Sequence, residues 1–509
     1  MVEKRGVLNP NPTPSFSRSF SKSDHWYYEN RINYKNGWGN HRIDITAGFT
    51  AEKTKYLGVN MARRYYEDDK IQYLNAGKEI SGASETGVWA NTMASYLGRV
   101  FYSYKDKYLG TLTFRRDGSS RFGPNYKWGS FPSGALVWRI SEEGFMKSIK
   151  TYVDNLKLRA SYGFSGNNSI GNYSWMASIN KGYIPIGGTL QPTALKGELP
   201  KLDLKWEKTG TLDFGIDASL FNSRLSFTFD YYNSKTEDLL LNLPISTLTG
   251  YTSLLQNIGS VRNQGIEFAI NSINFDGTLK WTTDFNISLN RSKVLDMGGA
   301  PWQDITSANG LPVRAFVGQP LRQFYTLEYI GTYRDQNDIA NSPSYAGATP
   351  GDAKYVDHNK DGKIDGNDAV VVGNPEPDFS GGITNSFKYK GFEFSFLLTY
   401  SVGAEKVNLM IRRSYWNHGY RNWAKAYYNN HWSENNPDGY YPKIVPGINV
   451  HNMNKTASSL WIENASFLKL KDITFTYNLP DLLVKKIGIQ KVRFFFNANN
   501  LWVWTKYTG

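Results

Sequence analysis

The chain has 509 residues, 58 Lys and Arg against 45 Asp and Glu for a formal net charge of +13, and no cysteine. Zero cysteine excludes a disulfide scaffold and every Cys-ligated zinc, haem or iron–sulfur site. Mean hydropathy is −0.49, and no run approaches the ~18 consecutive apolar residues of a membrane-spanning helix, so a helical membrane protein is excluded. A membrane β-barrel is not, because its alternating strands average to a hydrophilic score. Met1 is followed by Val2-Glu3-Lys4-Arg5 without the apolar stretch of a secretory leader.

Aromatic residues make up 15% of the chain and glycine numbers 47, a balance that favours strands and tight turns. In chain order, the first run with period two lies at Ile43–Phe49. Leu156, Leu158, Ala160, Tyr162 and Phe164 then alternate with Lys157, Arg159, Ser161 and Gly163. Leu212, Phe214, Ile216, Ala218 and Leu220 alternate with Asp213, Gly215, Asp217 and Ser219, and a further run spans Leu225–Tyr231. Leu279, Trp281, Phe285, Ile287 and Leu289 are set against Lys280, Thr282, Asp284, Asn286, Ser288 and Asn290. The last runs are Phe392–Tyr400 and Val492–Ala498. Each run has one apolar and one polar face, as half-buried antiparallel strands require. Soluble strands average about 5–6 residues and tilted membrane strands need about 9–11; these runs match the longer class.

Helix is scarce. Glu142–Lys150 fits one turn, and Asn417–Trp432 fits a short helix inside a long loop.

Connections fall into two kinds. Short polar turns occur near Asn36-Gly37, Asp106-Lys107, Met146–Lys150, Asn222-Ser223, Asp276-Gly277, Tyr389-Lys390 and Asp481–Gly488. Asn and Gly tolerate the positive φ of tight hairpins. Long polar connections lie between them at roughly 51–92, 117–130, 165–205, 235–260, 293–378 and 404–462. The short turns imply seven hairpins, hence about fourteen strands. Turns on one side and loops on the other are the mark of an outer-membrane barrel. The predicted fold is all-β, an antiparallel up-and-down transmembrane barrel wall, in one domain over residues 1–509.

Four segments carry a family resemblance. They are Arg115–Met146 running into Tyr152–Gly166; Leu204–Ser246 followed by Asn257–Ile270; Val356–Phe396; and Glu463–Pro480 with Phe494–Gly509. Together they resemble the SusC/RagA-type TonB-dependent transporters of the Bacteroidetes outer membrane, over nearly all of the chain from about Tyr96. The resemblance implies nutrient import of oligosaccharides, or of peptides in some members. It implies a barrel of about 22 strands around a plug, and a SusD-like surface lipoprotein closing over the top. It also implies energy delivered by the TonB–ExbB–ExbD complex through the segment ahead of the plug. No plug-like segment or TonB-contacting box is legible before Glu29, and relatives continue past the equivalent of Thr505–Gly509. The expectation is therefore a C-terminal barrel portion, about fourteen strands of about 22, set in outer-membrane lipid.

The sharpest local motif is Asp357-His-Asn359-Lys-Asp361-Gly362-Lys363-Ile364-Asp365-Gly-Asn-Asp368. Asp357, Asn359, Asp361, Asp365 and Asp368 place oxygens at loop positions of an EF-hand type. Lys363 offers a carbonyl and Gly362 the sharp turn, so Ca²⁺ is the expected ion. Asx-turns in a solvated loop are the alternative. Catalytic motifs are absent: the six histidines form no HExxH, and there is no GxSxG, P-loop or GxGxxG. No enzyme is expected. Aromatics of the long loops, above all Trp302, Tyr415, Trp416, Tyr420, Trp423 and Trp432, are the candidates for substrate or lid contact, because flat rings with polar tips stack on sugars and anchor proteins. The excess of basic residues is scattered, without a stripe or a binding module, so nucleic acid is not an expected partner. The competing class is a soluble or secreted all-β, calcium-dependent carbohydrate-binding protein.

Overall fold

The structure is a computed structural model that describes residues 14–508 apart from 69, 245, 252, 309–310, 411, 413–422, 445–456, 481–483 and 485–487. Its main element is a fourteen-stranded antiparallel sheet in which every strand pairs with its neighbours in sequence. The strands are β1 (Ser15–Trp38), β2 (His41–Arg64), β3 (Glu79–Tyr104), β4 (Tyr108–Ser119) and β5 (Trp128–Arg139). They continue as β6 (Val153–Asn167), β7 (Glu207–Leu220), β8 (Leu225–Glu237), β9 (Ser260–Asp276) and β10 (Leu279–Asp296). The last four are β11 (Phe379–Tyr389), β12 (Phe392–Val402), β13 (Phe467–Asn478) and β14 (Arg493–Thr505). Smaller hairpins fill the long connections: Ile179–Ile186 with Thr189–Lys196, and Leu240–Pro244 with Ser253–Asn257.

The tight reversals follow from local chemistry. Lys105 and Asp106 both take positive φ between β3 and β4, as do Lys390 and Gly391 between β11 and β12, the backbone twist that matches paired strands. The first reversal sits at Gly39-Asn40 rather than at Asn36-Gly37, because Trp38 and His41 stack at 5.6 Å and carry the pairing two residues further. The connection expected at 51–92 is also shorter. β2 runs to Arg64 and β3 starts at Glu79, in continuous register with two bulges. This stretch lost its alternation because Lys53, Lys55 and Asp24 occupy positions that are apolar lower in the same strands, while backbone pairing needs no apolar face.

Contacts group the chain into two units: Met1–Leu136 with Ser161–Gly210 and Thr236–Ile258, and Val137–Ala160 with Thr211–Lys235 and Gly259–Gly509. In the first unit, one face of β1–β4 is apolar between two rows of rings. The row at the turn end joins Trp38, His41, Tyr104 and Tyr108. The other joins Tyr28, Phe49, Tyr96 and Trp128, at 6.4, 5.2 and 5.8 Å. Tyr28 and Trp38 lie ten residues apart in β1, roughly 33 Å of strand and about 23 Å along the membrane normal at a tilt of about 45°. An apolar band of about 25 Å between aromatic girdles is the dimension of an outer-membrane barrel.

The second unit repeats the pattern. Phe275, Trp281, Phe387 and Phe394 form a ladder across β9–β12 at 5.8, 5.5 and 6.2 Å, with Phe392 against Phe475 at 5.9 Å. The opposite face is polar and internally paired. Asp217 accepts from Lys157 and Arg159 at 3.0 Å each, and Arg159 also reaches Asp230 at 2.7 Å. Gly215 lies directly beneath: a side chain there would meet the Arg159 guanidinium and the Asp230 carboxylate.

Candidate functional site

The long connections of the second unit build a folded lobe from residues 297–378 and 403–466. Strands Trp302–Ala308, Leu311–Phe316, Gln323–Thr326 and Val370–Gly373 make a four-stranded sheet. Leu311, Val313, Phe324 and Ala457 form its core. A second core gathers Leu327, Tyr329, Tyr333, Tyr345, Ala353, Tyr355 and Ile364. Cross-loop bonds lock the two connections together. The Tyr329 amide donates to Ser459 Oγ at 2.8 Å, Thr332 Oγ1 donates to the Gly439 carbonyl at 3.1 Å, and the Tyr329 hydroxyl donates to the Tyr440 carbonyl. Lys443 Nζ pairs at 3.1 Å with the fully enclosed Asp352, which also accepts from the Thr349 amide and hydroxyl.

A cleft of about 630 Å³ opens on this lobe between segment 330–341 and the turn at 437–440. Arg334, Asp335, Asn337, Asn341, Asp438 and Tyr440 line it. Asp335 caps the one-turn helix Gln336–Ala340 by accepting from the Asp338 amide at 2.9 Å. Burial pushes the Asp338 carboxyl up, yet bonds from Lys354 Nζ, the Arg334 amide and Ser342 Oγ outweigh it and hold the group below its ordinary value. Burial raises the Tyr440 phenol above its ordinary value. Amide, carboxylate and guanidinium groups beside one half-exposed ring can bind a polar polymer by hydrogen bonds and one stacking face. Tyr440, one of the long-loop aromatics, and the Asn436-Pro437-Asp438-Gly439 turn are the marks of this cleft in the sequence; its polar residues at 334–341 carry no signal of their own.

The six aromatic candidates divide. Trp302 is 44% exposed, with the Arg314 guanidinium 3.6 Å from its ring centroid and Asp304 bonding that guanidinium at 2.8 Å. Trp423 stacks on the buried Tyr427 at 5.4 Å. The Trp432 indole donates to the Arg334 carbonyl at 3.1 Å, behind the cleft. These two rings hold the lobe together. Tyr415, Trp416 and Tyr420 lie outside the described residues.

In the calcium-type loop the oxygens serve the loop's own backbone. Asp357 accepts from the Lys360 and Gly362 amides at 2.6 and 2.9 Å, Asn359 from Asp361, Asp361 from Lys363, and Asp365 from Asn367. Asp368 is enclosed and accepts from the His358 and Asp365 amides at 3.1 and 2.9 Å. Gly362 takes φ +80°, as the turn requires. The donor chemistry fits a hard cation, but among the described residues no three His, Cys, Asp or Glu are placed together to hold a metal ion.

A model of the TonB-dependent receptor-like β-barrel family matches residues 3–501. The chain belongs to this family. TonB-dependent receptor P3 of Formosa agariphila is 33% identical over 489 residues, covering 94% of this chain and 48% of that protein. TonB-dependent receptor SusC of Bacteroides thetaiotaomicron is 32% identical over 449 residues, covering 82% and 41%. Among solved structures, the RagAB peptide transporter superposes with a TM-score of 0.82 at 24% identity, over 98% of this chain and 54% of that one, which shows the fold. This SusC/RagA-type TonB-dependent receptor chain is thus an outer-membrane barrel wall, and its family is one of receptors, not enzymes. The soluble carbohydrate-binding alternative is set aside. The chain spans about half the length of the curated relatives it matches.

Proposed function

We propose that this chain forms channel wall and outer loops of a TonB-energised importer that works with a SusD-like surface lipoprotein. The observation that carries the reading is the asymmetry of the sheet. Five of the seven connections at one end are tight turns of two to four residues, whereas folded loops elaborate the other, where substrate and a lid would arrive. The polar cleft at 330–341 and 437–440 is the proposed contact for substrate or lid, with Trp302 as a second stacking surface. Its hydrogen-bonding groups suit oligosaccharide hydroxyls, the substrate reading we favour. Peptide is the second reading, supported by the peptide transporter of like fold. Binding of Ca²⁺ in the 357–368 loop is proposed as an ordering device for the same lobe.

Growth of a strain lacking the gene on single oligosaccharides and on peptides as sole carbon source tests this. Loss of growth on one glycan class, restored by the wild-type gene and reduced by Tyr440→Ala with Asn337→Ala, is the expected result. Unimpaired growth on every glycan with loss on peptides would replace the first substrate with the second. Unimpaired growth on both would sink the importer reading.

A further inference from the structure

The apolar face of β1–β5 carries a groove of about 330 Å³. It lies at the loop-side end of the apolar band, immediately above the ring row Tyr28, Phe49, Tyr96 and Trp128. Its floor is a row of small residues in register across three strands: Ala51 of β2 pairs with Ala94 of β3, which pairs with Gly118 of β4. Trp26 walls one side and Trp128 the other, 55% and 43% exposed. The Trp128 indole lies flat over Gly118, where an added Cβ would come within 2.8 Å of the ring.

The rim is cationic. Lys53 stands beside Trp26 in the pairing register, and Lys127 immediately precedes Trp128. Arg116 sits over the Trp128 ring at 5.5 Å. Glu52 touches the groove from the other phase of the strand and belongs to the polar face with Tyr27. Above the groove the same face turns polar, with Asp24 paired to Lys55. An apolar slot floored by alanine and glycine, placed where the apolar band ends and capped by lysines, matches a lipid acyl chain below and an anionic headgroup above. Amphipathic Trp and Lys are the side chains that such an interface selects, and basic residues near a charged lipid surface are attracted to it.

We propose that this groove binds one phosphate-bearing anionic lipid. An acyl chain lies over Ala51, Ala94 and Gly118 between the two tryptophans, and the headgroup phosphate pairs with Lys53 and Lys127. The proposal rests on the outer-membrane reading of the chain. It adds a specific lipid site to a wall that would otherwise meet lipid uniformly.

Tryptophan quenching tests it, with the full-length protein in phosphatidylcholine vesicles doped with brominated-chain phosphatidic acid. The quenching lost in the Trp26→Phe/Trp128→Phe variant reports the groove. Phosphatidic acid should be enriched there about tenfold over brominated phosphatidylcholine, a ratio equivalent to about 1.4 kcal/mol. Lys53→Gln with Lys127→Gln should bring the ratio near one. Ala94→Leu, which fills the floor without touching a charge, should reduce quenching by both lipids. An unchanged ratio in the lysine variant would overturn the proposal, as would displacement of the lipid by millimolar inorganic phosphate, which would mark a free-anion site. Quenching of the remaining tryptophans by brominated phosphatidylcholine reports bilayer insertion separately. Its absence would overturn the membrane reading and the site together.

Discussion

Asp352 and Lys443 show how single residues hold the outer lobe. The carboxylate is fully enclosed and its cation is three-quarters covered, so removing one partner strands a charge. Lys443→Met should destabilise the lobe by about 3 kcal/mol, read as faster amide exchange over 326–356. Lys443→Met with Asp352→Asn should recover much of that loss, and equal exchange in all three proteins would contradict it. Tyr333 and Tyr355 add a pH dependence. Burial, and for Tyr333 then the nearby Asp338 and Asp352 charges, raise both phenols above their ordinary value of 10.0. In the unfolded lobe these phenols ionise near that ordinary value, while in the folded lobe they keep their protons. Their contribution is therefore intact below about pH 10 and falls as pH rises beyond it. Phenolate absorbance should show at least two tyrosines ionising late, together with loosening of the lobe; titration of every tyrosine near the ordinary value would contradict this. None of these residues stood out in sequence, because Tyr333, Asp352 and Lys443 are brought together only by pairing of two loops. Trp423 and Trp432 are conspicuous in the sequence for bulk and polarity, and in the structure they are half-buried against Tyr427 and the Arg334 carbonyl.

Legibility differed from element to element. The runs at 156–164, 212–220 and 279–289 all became wall strands, because one face meets apolar surroundings and the other polar partners such as Asp217 and Arg159. Residues 15–25 and 53–64 were illegible, since strands that continue beyond the apolar band keep their ladder without keeping their pattern. The hairpins Ile179–Ile186 with Thr189–Lys196 and Leu240–Pro244 with Ser253–Asn257 carry only loop signals in the sequence for the same reason. The 357–368 loop was the most legible loop in the chain. Gly362 takes the positive φ of the turn, Asp368 is enclosed, and Ile364 anchors the loop in the tyrosine core. If calcium orders it, Tb³⁺ should load the site in one equivalent with sensitised luminescence, and chelator should raise protease cutting within 350–372. Asp357→Ala with Asp361→Ala should abolish both effects. Identical cutting with and without chelator, and no Tb³⁺ signal, would leave a loop held by its Asx-turns and capping box alone.

At the scale of the molecule, composition carried more than any motif. Alternating strands explain how a hydrophilic average coexists with an apolar band bounded by ring rows at Tyr28 and Trp38. The family likeness was legible because its segments are long and ordered, whereas the cleft at 330–341 and 437–440 arises from residues about a hundred positions apart. The central claim is directly measurable, since within these 509 residues any single introduced cysteine is a unique label site. Nitroxides placed one at a time from Asp284 to Ser288 of β10, in the full-length protein with any cysteine outside these 509 residues replaced by serine and in its membrane, should alternate with period two. Phe285 and Ile287 should be accessible to oxygen dissolved in lipid, and Asp284, Asn286 and Ser288 should be shielded from it. Loss of that alternation, or water-borne reagent reaching Phe285 and Ile287 as readily as their neighbours, would contradict the barrel wall.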